Sequence, residues 1–273
     1  MSAPTTNVRA RTSARTLVWL QGLAGLAGFA ALLEIVPRSG LISPDYLPPL
    51  STIMVALFKE IMTAEFWTAL GDTLEAWALG LVISVIAGVV IGIAIGSSHF
   101  LRTMTHSTIE FLRPIPSVAL IPLVVLLFGS QIQSTLILVV YASFWQVLIQ
   151  VLYGVQDVDP VARETARCYG LGRWAQIRYV VWPTALPYLM TGIRLAAAVA
   201  LILAITSEVA IDTQGLGKEI SDTESGGAVG AMYAYVIVAG VIGVIVNLGA
   251  RALERRVLAW HPSVRLDVVE AGG

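Results

Sequence analysis

The chain has 273 residues, 56% of them hydrophobic and 13% charged, with a net charge of −1. A soluble domain carries about 25% charged residues, so this balance excludes an ordinary water-soluble globule and points to a bilayer. One cysteine (Cys168) and three scattered histidines (His99, His106, His261) exclude an internal disulfide and offer no metal-ligand spacing.

Residues 1–15 are polar and small, with Arg9, Arg11 and Arg15, and read as a disordered tail. Thr16–Val36 is the first apolar run. A basic start before such a run also fits a signal peptide. Its length, near the ~20 residues needed to span, favours an uncleaved helix. Gly22, Gly25 and Gly28 suit close helix packing there. Arg38–Pro49 is rich in turn residues. Ser51–Thr63 then sets Ile53, Leu57 and Ile61 against Lys59 and Glu60, the pattern of an amphipathic interfacial helix. The second span is predicted over Leu70–Ile95, where Gly88, Gly92 and Gly96 fall at the spacing that lets two backbones approach.

Ser97–His106 reads as a short loop with Arg102, and Ser107–Phe128 as a third span interrupted by Pro114, Pro116 and Pro122. Each proline removes a backbone donor and kinks the helix where a neighbour or cavity can satisfy the freed carbonyl. The same span carries Glu110 and Arg113. A charge at mid-bilayer costs roughly 2.5–3.5 kcal/mol, so these side chains face protein or water. They are candidate path or gate residues, with Pro114, Pro116 and, in the fifth span, Glu208. An Arg113–Glu110 pair at i, i+3 or snorkelling of Arg113 is the structural alternative. For Glu208 it is an interhelical tie.

Ser134–Leu152 is the fourth span. Asp159 then makes a good N-cap and Pro160 a good first helical residue, and Gly170 stands where a helix ends. A second short helix is expected over Leu171–Val181, with Pro183 and Pro187 stopping it. Tyr188–Ala210 is the fifth span, with Arg194 just inside it as an interfacial anchor. Asp212–Gly227 is a polar loop with little helix signal, and Val229–Leu248 the sixth span. Arg251, Arg255 and Arg256 continue that helix, and 263–273 is a tail. Trp145, Trp174, Trp182 and Trp260 are expected at the membrane interfaces.

Arginine and lysine sort the loops. Arg9, Arg11, Arg15, Arg102, Arg163, Arg167, Arg173, Arg178, Arg251, Arg255, Arg256 and Arg265 fall on one side. Only Arg38, Lys59 and Lys218 fall on the other. The first side is therefore cytoplasmic, with both termini and the 159–183 loop. Residues 16–262 form one six-helix transmembrane domain.

Glu164-Thr165-Ala166, Gly170, then Pro183, Pro187, Gly192 and Arg194 resemble the EAA loop of ABC importer permeases, with Thr165 standing where the family has alanine. Phe111-Leu-Arg-Pro-Ile-Pro-Ser-Val-Ala-Leu-Ile-Pro122, Ser207-Glu-Val and Gly215-Leu-Gly217 are similar to the nitrate/sulfonate/taurine branch. The resemblance runs over residues 40 to 262. It implies an all-α, type I importer permease in the cell (inner) membrane, free of catalysis and of its own cofactor. Glu164, Thr165, Ala166, Gly170 and Pro183 would couple it to a cytoplasmic ATPase dimer, which binds the ATP. A second permease subunit, most simply a copy of this chain, and an extracytoplasmic solute-binding protein complete the assembly. Nucleic acid has no place in it. The substrate implied is a small anion of sulfonate, taurine or nitrate type, with a heterocyclic vitamin precursor as the alternative. A stand-alone secondary transporter fits less well, because the helix interruptions crowd into one span. An intramembrane enzyme lacks a motif: no GxxxxGK[ST], GxSxG or HExxH occurs.

Overall fold

A computed structural model describes residues 8–260, with side chains from Leu20 onward. The 263–273 tail and Arg265 lie outside the described residues, as do residues 1–7 and the side chains of Arg9, Arg11 and Arg15. The described residues form helices only: α1 (Val8–Arg38), α2 (Leu50–Ile61), α3 (Ala64–Gly96), α4 (His99–Leu112), α5 (Ile121–Phe128), α6 (Ile132–Gln156), α7 (Pro160–Cys168), α8 (Arg173–Gln176), α9 (Trp182–Ile211), α10 (Leu216–Ser225) and α11 (Val229–Val257). α1 starts at Val8, so the second half of the expected disordered tail is helical. No glycine or proline interrupts the chain between Val8 and Gln21.

The centre of the bundle is α3, α6 and α9. On α3, Gly80, Ser84, Gly88, Gly92 and Gly96 recur every four residues and are all buried. A Cβ placed on Gly80, Gly88, Gly92 or Gly96 would lie 2.4–2.8 Å from Val139, Val147, Val151 or Val155 of α6, respectively. Between lipid-exposed helices hydrophobic burial supplies little drive, so many contacts of ~0.1–0.2 kcal/mol each hold the pair. Bare backbone on one side and a valine row on the other bring the axes close enough for them. Ser84 adds a polar tie, its hydroxyl 3.2 Å from Val140 O. On the other side of α6, Gly154 meets Ala185 and Gly192 meets Val147 and Gln150. Ala196, Ala197, Ala200 and Ala204 are buried along α9. A Cβ on Gly22, Gly25 or Gly28 of α1 would meet nothing within 4 Å, so the expected packing role is not met among the described residues. Glu34 instead joins α1 to α2 by accepting from Ser51 N and Oγ at 2.9 Å.

Among the described residues five helical segments are long and apolar enough to span, and a sixth crossing exists if α4 and the segment ending in α5, bent by 81°, count together. The register of α3 on α6 decides this. Gly80 meets Val139 and Gly96 meets Val155, so α3 and α6 run parallel. The chain leaves α3 at its Gly96 end and enters α6 at the opposite end. α4 and α5 therefore carry it across, and they form one broken span rather than a loop returning to the same side.

Three expected boundaries change here. Ser97–His106 is not a loop, because Ser98 caps α4 through a 3.3 Å bond from Leu101 N–H. The third span is broken rather than kinked. Asp212–Gly227 contains α10, whose Leu216 is fully buried in a cluster with Phe66 and Ala69 of α3, Leu201 of α9 and Tyr235 of α11. Trp145 is also not an interface anchor: it is 8% exposed, between Tyr141 and Phe144.

Candidate functional site

The end of the bundle where α3 stops and α8 begins carries α7. Asp159 Oδ1 accepts the Val161 N–H at 2.8 Å, and Pro160 fills the first turn. At the other end Leu171 N–H reaches Ala166 O at 3.0 Å and Gly170 N–H reaches Arg167 O at 2.9 Å, with Gly170 at φ +74°. This paired closure is the Schellman arrangement, and glycine is favoured there because the left-handed backbone carries no Cβ penalty.

At 100° per residue α7 has two faces. Glu164, Thr165, Cys168 and Val161 are exposed on one, while Ala166 is buried on the other. Arg163 shares that buried side and donates to Val155 O at 3.3 Å.

The expected second short helix is not separate. α8 passes through a π-turn, Ile177–Val181, into α9, so Arg173–Ile211 is one helical segment of 39 residues. Pro183 and Pro187 therefore do not stop it. Pro183 occupies the first turn after the π-turn, where the bonding register has shifted and its missing N–H is tolerated. Pro187 stands inside the helix, and Thr184 and Thr191 hydroxyls bond Val180 O at 2.9 Å and Pro187 O at 3.2 Å nearby. Arg194, expected as an interfacial anchor, pairs with Glu254 of α11 at 3.2 Å.

The candidate path residues divide. Glu110, Arg113 and Pro114 line one open groove of ≈ 620 Å³ with Arg102, His106 and Gln156. Pro116 and Glu208 are not in it. The alternative i, i+3 pair of Glu110 with Arg113 is not formed: Glu110 Oε2 lies 3.5 Å from His106 Nδ1 instead, one helical turn back. Arg113 is the residue after α4 and forms no ion pair among the described residues. Pro116 lacks the N–H that would reach Leu112 O in a continued helix, and Tyr141 OH supplies a 2.7 Å bond to that carbonyl. Neither His106 nor Tyr141 is among the expected site residues; the i, i+4 spacing to Glu110 is the one signal that points to the histidine.

Glu208 is fully buried at the other end of the bundle. Its Oε2 accepts from Thr73 Oγ1 and from Gly217 N–H, both at 2.9 Å, and Thr73 Oγ1 in turn accepts Leu216 N–H at 2.8 Å. One carboxylate thus joins α3, α9 and the start of α10. Gly215 and Gly217 are required beside it. A Cβ on Gly215 (φ +146°) would lie 2.3 Å from the carboxyl carbon, and one on Gly217 2.4 Å from Ile205 O.

Known proteins share this frame. The chain is 31% identical to the taurine transport system permease protein of Escherichia coli (strain K12), covering 94% of this chain and 98% of that one. It is 29% identical to the putative aliphatic sulfonates transport permease protein of Bacillus subtilis (strain 168), covering 96% of each. A bacterial alginate ABC transporter, solved in complex with its alginate pentasaccharide-bound periplasmic protein, superposes over 92% of this chain and 98% of its own with a TM-score of 0.63 at 16% identity, and shows the same fold. Residues 84–259, from the glycine row of α3 to the end of α11, match the family described as binding-protein-dependent transport system inner membrane component. The chain belongs to that family, as a multi-pass permease of the inner membrane with the type I importer fold.

Proposed function

We propose that this permease carries a small anion of the sulfonate, taurine or nitrate type, driven by a cytoplasmic ATPase dimer that docks on α7. The observation that carries the docking is the outward face of α7. Glu164 and Thr165 are exposed there on a helix fixed at both ends, one short turn before the 39-residue segment that enters the bundle. Ala166 seats the helix on the bundle, Gly170 closes it, and Pro183 follows the π-turn through which movement would pass. Arginines gather at this end, which supports a cytoplasmic position for it and for both termini. ATP is bound and hydrolysed by the partner, and this chain performs no covalent chemistry. A second permease, most simply a copy of this chain, and an extracytoplasmic binding protein complete the importer. Residues 16–262 act as its single transmembrane domain.

Substrate charge is supported by the taurine and sulfonate relatives and by Arg113. Glu110 turns to His106, which leaves the guanidinium facing the groove for a passing anion. Pro114 and Pro116 open that groove by breaking the span. Glu208 acts on the path at a distance, by holding α10.

The test is transport by the reconstituted importer, with ATPase and binding protein supplied. Glu164→Lys should reduce uptake at least about tenfold while the chain stays inserted, since a reversed charge at a docked face costs several times RT. Arg113→Gln should lower anion flux while ATP hydrolysis persists. Unchanged uptake in the first variant removes α7 as the docking site, and unchanged flux in the second makes Arg113 structural.

A further inference from the structure

A second cavity, ≈ 410 Å³, lies at the same end of the bundle behind α7. Ser97 and Ser98, just past the end of α3, form one wall. Arg163, Arg167, Arg173 and Gln176 form the other. No carboxylate lines it, and none of the three arginines has an ion-pair partner among the described residues. Three like charges around one cavity repel, and an anion between them removes that cost.

We infer that this cavity holds the phosphate of an anionic phospholipid headgroup. Its depth supports that source. The cavity begins where the apolar span of α3 ends, and Val181, which lines it, belongs to the buried core of the bundle. This is the headgroup level of a membrane, where basic pockets between spans attract anionic lipid. The face of α7 supports it too. Arg163 and Arg167 are one turn apart on α7: Arg163 is half-buried beside Ala166, and Arg167 is exposed at the border between that side and Glu164. Val161 and Thr165, exposed on the opposite side of α7, remain free when the cavity is filled. Arg163 is already positioned by its bond to Val155 O, and guanidinium forks match phosphate oxygens in pairs. The Ser98-capped start of α4 adds a favourable dipole but does not define the site. A bound headgroup would pin α7 to the end of α3, so that the helix meets its partner already ordered.

The test uses the full chain without ATPase, so its result is independent of the docking proposal. Native mass spectrometry of purified protein should show retained phosphatidylglycerol and much weaker retention of phosphatidylcholine with the same acyl chains. The triple variant Arg163→Gln/Arg167→Gln/Arg173→Gln should lose about tenfold or more of that retention. Arg251→Gln/Arg255→Gln/Arg256→Gln removes as much charge from the same end, outside the cavity, and should retain the lipid. Arg173→Gln alone, at an exposed position, should give a partial loss and guards against misfolding of the triple variant. Equal retention of both lipids overturns the inference, as does equal loss in the two triple variants. Binding of inorganic phosphate at millimolar concentration with no retained phosphatidylglycerol overturns the lipid assignment as well.

Discussion

Glycines 215 and 217 show how little freedom single positions have around Glu208. Alanine at Gly217 would put its Cβ 2.4 Å from a carbonyl oxygen and 2.6 Å from the Glu208 Cβ. Neither can withdraw without moving α9, and overpacking of this kind costs about 1–3 kcal/mol. Gly217→Ala should lower the thermal unfolding midpoint in detergent. A variant as stable as the parent would show that the start of α10 is free to shift. Gly170 is the opposite case. Nothing lies within 4 Å of its Cβ position, so Gly170→Ala strains only the backbone, by about 1–2 kcal/mol. A nearby residue adds a pH dependence outside the spans. Burial, then Asp222 and Glu60, hold the Glu219 carboxyl above its ordinary value of 4.5, against a smaller opposing pull from Lys218. The folded state then keeps a proton that the unfolded chain has released. Stability of α10 is gained as pH falls through the raised value towards 4.5, and lost as pH rises through the same window. Hydrogen-exchange protection factors in α10, corrected for intrinsic rates, should rise on acidification from neutral, and Glu219→Gln should flatten that rise. A slope unaffected by the substitution assigns the effect to another group.

Among the elements, α3 is the one most narrowly specified. Gly92→Leu would drive a side chain into Val151 and should separate α3 from α6, with loss of folded protein on size exclusion. Gly71→Ala, on the same helix with open space around it, should be neutral or slightly stabilising. Similar behaviour of both would mean that the α3–α6 contact is loose. The glycine row was legible in the sequence because spacing alone defines a helix face. So were the ends of α7, where Asp159, Pro160 and Gly170 act through bonds a few residues away. The break between α4 and α5 was only half legible. Prolines mark where a helix loses a donor, but the bend also depends on Tyr141, which satisfies Leu112 O from 29 residues along the chain. The same limit hid α10. Its anchors are Glu208 and a threonine 143 residues before Leu216, and neither lies in the local pattern. Pro183 and Pro187 misled for a related reason: a π-turn absorbs a proline that a regular α-helix would reject. Of the candidate site, α7 could be drawn from local rules, whereas the split between the Arg113 groove and the Glu208 latch needed the folded chain.

At the scale of the whole molecule, sidedness is the first thing to check. Cys168 is exposed on α7, at the arginine-rich end. An impermeant thiol reagent should leave it unmodified on intact cells and label it once membranes are opened. Strong labelling from outside would invert the assignment of cytoplasmic and external ends. The continuity of Arg173–Ile211 then has a mechanical meaning. A helix of that length is a lever of about 58 Å, and a tilt of about 5° displaces its two tips by about 5 Å relative to one another. One tip lies beside α7 and the other ends at the Glu208 latch, with the row of small residues on α6 and α9 serving as its fulcrum. A push at the first tip therefore arrives at the second without any intervening joint, except the π-turn, whose looser winding makes it the place where stroke would be lost.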